Sequence, residues 1–168
     1  MKLQVKRLDR DGRYETLVVR GDGVRFHVQG VAHAFAIPHD LAHYLVEKAL
    51  KIEHGFWGLI ARGAVFPTMT YLDGRRKPKA AERSAQLMKT HARDLVEAEV
   101  MVRIINDTFE QGYRDVPLAN AIARRVTERL PDWGKIDGRT ITAIHTDYKK
   151  LKSDWVNLPL QAVLIQDW

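Results

Sequence analysis

The chain predicts an α+β fold: an N-terminal antiparallel β-meander, about five helices and a C-terminal strand. Three observations carry the prediction. Apolar and polar residues alternate at period two through the first part of the chain, the period changes to 3.6 after Pro38, and an apolar run returns at residues 160–165. At 168 residues the chain is expected to form one domain, residues 1–168, with a core that needs no staples.

The elements follow in order. Leu3 and Val5 alternate with polar neighbours, and Asp11-Gly12 signals a tight turn. Leu17-Val18-Val19 is apolar and β-rich, and Gly21-Asp22-Gly23 turns again. Val24, Phe26 and Val28 alternate with Arg25, His27 and Gln29, the pattern of a half-buried strand. After Gln29-Gly30, the run Ala34-Phe35-Ala36-Ile37 reads as a fourth strand. Pro38 then suits the start of a helix over about 38–52. Gly55, Gly58 and Gly63 bracket a short helical turn holding Phe56, Trp57, Leu59 and Ile60. Residues 64–78, with Pro67 and Asp73-Gly74, read as a loop. One long helix is expected over 79–111, stopping at Gly112. Asp115 would cap a helix over 116–130 with the stripe Leu118, Ile122, Val126 and Leu130. Past Pro131, Trp133 and Gly134, a last helix over about 139–154 carries Ile141, Ile144, Tyr148, Leu151 and Trp155. The tail, Leu160 to Ile165, is expected to return to the sheet.

Composition excludes several chemistries. The chain has no cysteine, so disulfides, Cys-ligated zinc, iron–sulfur clusters and a cysteine nucleophile are ruled out. Hydrophobic residues make up 45% and charged residues 29%, a globular balance. No stretch approaches the ~20 apolar residues of a membrane span, and residues 1–7 lack the pattern of a signal peptide. A cytoplasmic protein is the expectation. Neither a GxGxxG nor a GxxxxGK phosphate loop occurs.

The net charge of +6 is uneven, because residues 60–93 hold eight Lys/Arg against two Asp/Glu. Arg75, Arg76, Lys77 and Lys79 form its centre. Such a cluster attracts polyanions or simply solvates a surface.

The first helix carries the candidate chemistry. At 100° per residue, His43 falls about 40° and Glu47 about 80° from His39, on one row at the edge of the apolar face. Histidines at i and i+4 on a helix can chelate one metal ion. Asp40 takes the place of the general-base Glu in the zinc-protease helix but is one methylene shorter, so it reads as a partner behind the ligands or as a first-turn charge. On the long helix, Glu99 and His91 fall on or beside the apolar stripe, while Glu97 faces water. A carboxylate beside an apolar stripe is costly unless paired or ligating. His39, His43, Glu47 and Glu99 are therefore the candidate ligands, with Asp40 and His91 behind them and His54 as a further candidate. The competing reading is a pair of border histidines with ordinary hydrogen bonds and a Glu99 paired to arginine.

The segments Pro38-His39-Asp40-Leu41-Ala42-His43, Val46-Glu47, Gly55-Phe56-Trp57-Gly58 and Gly63-Ala64-Val65-Phe66 together resemble a family of small bacterial proteins that has no assigned activity. The His-Asp-x-x-His helix is also similar to the zinc motif of the coenzyme Q biosynthesis family, a lipid-binding scaffold or enzyme. That family has a glutamate twelve residues after the second histidine, where this chain has Gly55. The resemblance therefore extends to His39, Asp40 and His43 alone, and implies zinc with quinone or lipid chemistry.

The sequence thus points to an intracellular protein binding a divalent metal, zinc first, with metal-dependent hydrolysis as the reaction such a site would serve and a small molecule or a polyanion as partner. The alternative is a non-catalytic module that contacts nucleic acid or another polyanion through residues 75–93. Helices 116–130 and 139–154, with Arg124, Arg125, Lys149, Lys150 and Lys152, offer a second, less favoured nucleic-acid surface.

Overall fold

A computed structural model describes residues 1–30, 37–110, 116–130 and 136–168, the side chains of 116–118 excepted. Strands β1 (Lys2–Arg7), β2 (Tyr14–Val19) and β3 (Arg25–Gln29) form the expected meander. Their registers, such as Leu3 opposite Val18 and Val18 opposite Phe26, put the buried residues of all three strands on one face, with Leu17 and Val19 on the other. Leu3, Val5, Tyr14, Val18, Phe26 and Val28 are buried there. The same face buries Thr16, a polar residue that becomes important below.

Helices α1 (His39–Ala49) and α2 (Phe56–Arg62) follow, then strand β4 (Met69–Asp73). Pro38 stands just before α1 as its cap, and its carbonyl accepts from the N–H groups of Leu41 and Ala42. Gly63 closes α2 at φ 114°, a left-handed conformation that favours glycine. Strand β4 corrects the expectation of a loop over 64–78. It pairs antiparallel with β3, from Val28 opposite Met69 to Arg25 opposite Asp73. Only Met69 of the strand is buried, so this edge strand has little of the alternation that marks a strand in sequence. The proposed strand at Ala34–Ile37 falls on residues 31–36, outside the described residues; Ile37, which is described, is buried but not in a strand.

The single long helix is also corrected. Two helices occupy this stretch, α3 (Ala80–Thr90) and α4 (Ala92–Glu110), separated at His91, where φ is −107° and ψ is 23°. The His91 ring bonds Asp94 and stacks on His54, which holds it at the junction. Helices α5 (Val116–Arg129) and α6 (Gly138–Val156) follow, making six helices among the described residues. The expected cap Asp115, the loop residues Trp133 and Gly134, and the Leu118 side chain lie outside the described residues. Asp137 caps α6 by accepting from the Thr140 N–H at 2.8 Å.

Strand β5 (Val163–Asp167) pairs antiparallel with β1, as the returning tail requires, although it starts and ends later than residues 160–165. The sheet order is β4-β3-β2-β1-β5, antiparallel throughout. Two apolar clusters support it. One joins Val5 and Tyr14 to α1, α4, α5 and α6; the other joins Leu3, Val18, Phe26 and Val28 to Tyr44 of α1, Trp57 and Ile60 of α2, and Met69. Helix α1 contributes to both, so it is fixed between the sheet and α4. Among the described residues no helix is long and apolar enough to cross a membrane.

Candidate functional site

Helix α1 turns Leu41, Ala42, Leu45 and Val46 into the core and brings His39 and His43 to its border with α4. Helix α4 meets that border with Glu99. The three ligand-type atoms converge: His43 Nε2 lies 2.9 Å from Glu99 Oε2, the two Nε2 atoms are 3.1 Å apart, and His39 Nε2 lies 3.5 Å from Glu99 Oε2. The rings meet edge to face, at an interplanar angle of 78°.

Ligand atoms about 2.0–2.1 Å from one metal ion sit roughly 3.0–3.4 Å apart, at octahedral or tetrahedral angles. The triangle fits that spacing. Its donor set, two imidazoles and a carboxylate, is one that catalytic zinc takes with a fourth position open, and also the facial set of iron(II).

Glu47 does not join the triangle. It is fully buried, and its Oε1 takes His43 Nδ1 at 2.8 Å. The same carboxylate accepts the backbone N–H groups of Phe56 at 2.9 Å and Trp57 at 3.0 Å, at the start of α2. A carboxylate at a helix N-terminus meets unsatisfied donors and the positive end of the helix dipole. Glu47 is thus anchored, and it can only accept, so His43 Nδ1 must donate. That fixes the ring and directs Nε2 toward His39 and Glu99, the carboxylate–histidine arrangement that orients metal ligands. Gly55 permits the approach, since a Cβ there would stand 2.4 Å from the Glu47 carboxyl carbon.

Asp40 stands beside the ligands. Thr16 Oγ1 donates to its Oδ2 at 3.2 Å, and Tyr14 lines the same cavity. The Asp40 carbonyl accepts from Trp57 Nε1 at 2.9 Å. Burial raises the Asp40 carboxyl above its ordinary range, while the Thr16 bond and the two histidines pull it down.

With its Nδ1 donating to Glu47, His43 presents Nε2 to Glu99, where it can hold a proton or a metal ion. Burial would lower the His43 imidazole, but its bonds to Glu47 and Glu99 and their charges outweigh burial and raise it to about 9. The bonds from His39 and His43 hold Glu99 far below the usual carboxylate range. A metal ion must therefore displace a proton held at His43.

His91 stands apart from this triangle. The break at the α3–α4 junction puts it with His54 and Asp94, in a second group of metal-ligating residue types. The His91 and His54 rings stack at 3.9 Å, tilted by 22°, with Asp94 Oδ2 at 2.7 Å from His91 Nδ1 and 3.5 Å from His54 Nδ1. Arg75, Arg76, Lys77 and Lys79 are all exposed on the connection from β4 to α3, with the Arg76 guanidinium over the Tyr71 ring. Tyr14 and Thr16 were not among the sequence candidates. Their only signal is a threonine at an inward position of an alternating strand. Outside the chain itself, no family model, no curated protein and no solved structure matches the sequence.

Proposed function

We propose that this protein binds a divalent metal ion, zinc first, through His39, His43 and Glu99, and that the site serves metal-dependent hydrolysis. The observation that carries the reading is the convergence of the three ligand atoms, 2.9 to 3.5 Å apart, on a histidine already oriented from behind by Glu47. A bound zinc ion would supply Lewis acidity and leave room for a fourth, exchangeable ligand. His43 is held by Glu47, and Glu99, half exposed, closes the triangle from α4. Asp40, at the wall of the adjoining cavity, has Thr16 to hold its carboxyl in place and is the group positioned to carry a proton.

Elemental analysis of the purified protein and zinc calorimetry test the reading together. One zinc per chain, lost in the His43→Ala protein, is the expected result. Protein that carries no metal and takes up none at micromolar zinc would leave His39, His43 and Glu99 as a proton-linked cluster. Manganese, nickel and iron(II) in the same titration separate zinc from the other ions that suit this donor set.

A further inference from the structure

A cavity of about 480 Å³ opens against the triangle, with His39, His43, Glu99 and Asp40 at one end. That volume lies within the usual range of small-molecule sites. The rest of its wall is mostly apolar: Val28 from β3, Phe56 and Phe66 from around α2, and Leu95, Val96 and Val100 from α4. Val96 is 64% exposed, a large apolar side chain left facing water at this wall. The lining residues described include no lysine or arginine, and their carboxylates are Asp40 and Glu99.

From this charge and shape we infer the substrate class of the proposed metal site: an uncharged, largely apolar small molecule, aromatic or branched aliphatic, with one oxygen-bearing head that reaches the metal. The inference rests on the metal reading. A divalent ion held by neutral histidines is offset by the Glu99, Asp40 and Glu47 carboxylates around it, so the end of the cavity carries no net positive charge once loaded. Apart from the metal, a phosphate or other polyanionic head would meet carboxylates and no lysine or arginine among the described lining residues. An apolar body, by contrast, gains from every part of the wall that leaves water. The basic residues 75–79 lie on the β4–α3 connection and line none of this cavity.

Hydroxamic acids test this, since a hydroxamate head ligates zinc and its substituent can be changed alone. With the zinc-loaded full chain, benzohydroxamic acid should bind roughly tenfold to a hundredfold more tightly than acetohydroxamic acid, as burying about 100 Å² of ring surface implies. Phenyl phosphate should bind more weakly than benzohydroxamic acid. Val96→Asp, at an exposed position that should not disturb folding, should weaken benzohydroxamic acid at least about threefold more than it weakens acetohydroxamic acid. Equal affinity for the two hydroxamic acids, a preference for phenyl phosphate, or an equal effect of Val96→Asp on both would overturn the inference alone. A preparation that binds no zinc would overturn the metal reading and this inference with it.

Discussion

Helix α4 borders two histidine–carboxylate clusters, and they differ in where the ring lone pairs point. At His39, His43 and Glu99 the rings cross at 78° and their Nε2 atoms meet 3.1 Å apart, over one carboxylate oxygen. At His54, His91 and Asp94 the rings lie nearly parallel, 22° apart and 3.9 Å between centres. Lone pairs in nearly parallel rings run side by side instead of converging on a point between them. The first cluster also has a buried carboxylate behind it, Glu47, which takes His43 Nδ1 and leaves Nε2 to face the site. In the second, His91 Nδ1 hydrogen-bonds Asp94 at 2.7 Å while His54 Nδ1 stands 3.5 Å from the same oxygen, and no buried carboxylate orients either ring from behind. Both groups hold residue types that could bind a metal ion, and they differ in ring direction and in the carboxylate behind the first.

Removing the buried anchor should have the largest effect. Glu47→Ala leaves the Phe56 and Trp57 N–H groups and His43 Nδ1 without their acceptor in a closed space. Such a change costs about 3–5 kcal/mol, and for a chain of this length lowers the melting temperature by about 10 °C. Asp94→Asn, the matching change in the second cluster, touches a side chain 38% exposed and should cost less than about 1 kcal/mol. Thermal melts of the two variants measure the contrast. Equal losses would mean that Glu47 is no more an anchor than Asp94.

The ligand changes come next. His39→Ala and His43→Ala should each weaken zinc about a hundredfold or more, beyond the usual cost of losing a group behind a ligand. They should differ in stability. His43 is 5% exposed and tied to Glu47, so its loss destabilises the fold; the His39 side chain is 29% exposed, so its loss leaves the melting temperature nearly unchanged. Zinc calorimetry beside melts of the chelator-treated proteins separates the two effects. A His39→Ala protein with intact zinc affinity would remove His39 from the site.

Much of this contrast is legible in sequence, and the part that is not has a local cause. The row His39, His43 follows from the helical period because α1 is an unbroken helix over the stretch concerned. Glu99 does meet the α1 border, but the exposures are the reverse of the expectation: its side chain is 52% exposed, whereas Glu97, expected to face water, is 14% exposed and paired with Arg93. His91 is misplaced because a helical wheel drawn from 79 to 111 carries its phase through a junction where the helix stops. Glu47 falls on the right row, but sequence spacing cannot show that the start of α2 folds back onto its carboxylate. Gly55 ahead of Phe56-Trp57 is the trace of that contact, and its meaning depends on the neighbour a Cβ would strike. Strand β4 escapes because four of its five residues are not buried and so follow no alternation. The meander is legible because it buries one face; the returning tail is legible from its apolar run, although none of its residues is fully buried.

Acidity gives a smaller effect that differs between the two forms of the protein. Without metal, the His43 imidazole is raised from 6.5 to about 9, so its contribution to stability is full below 6.5 and is lost as pH rises through about 9. Glu99 is lowered from 4.5, so its contribution is present above 4.5 and is lost as pH falls below it. In chelator the protein should therefore be most stable at about pH 5–6.5 and lose up to a few kcal/mol by pH 9.5. With saturating zinc the fall above 6.5 should disappear and the curve level off, because zinc binding tightens as His43 gives up its proton and offsets the loss seen in chelator. Urea unfolding across pH 5–9.5, with and without zinc, reads both curves. Parallel curves would show that zinc and the His43 proton do not compete.

The smallest expected effect is at the second cluster, where His91→Ala removes one stacked ring and one bond to Asp94. The His91 side chain is 17% exposed and its partner Asp94 is 38% exposed, so the bond is screened by water on one side and contributes little. Loss of the stack on His54 adds about 0.5–1.5 kcal/mol at most, and alanine offsets part of it as the better helix former where α3 meets α4. The net change should be within about 1 kcal/mol. Zinc affinity should stay within about twofold of the parent, since none of the three triangle atoms touches His91 and Glu47 still fixes His43. A thermal melt and a zinc titration on the same sample decide it. If His91→Ala weakened zinc as much as His39→Ala does, metal would be held at the stacked pair, and the direction of the ring lone pairs would not be what separates the two clusters.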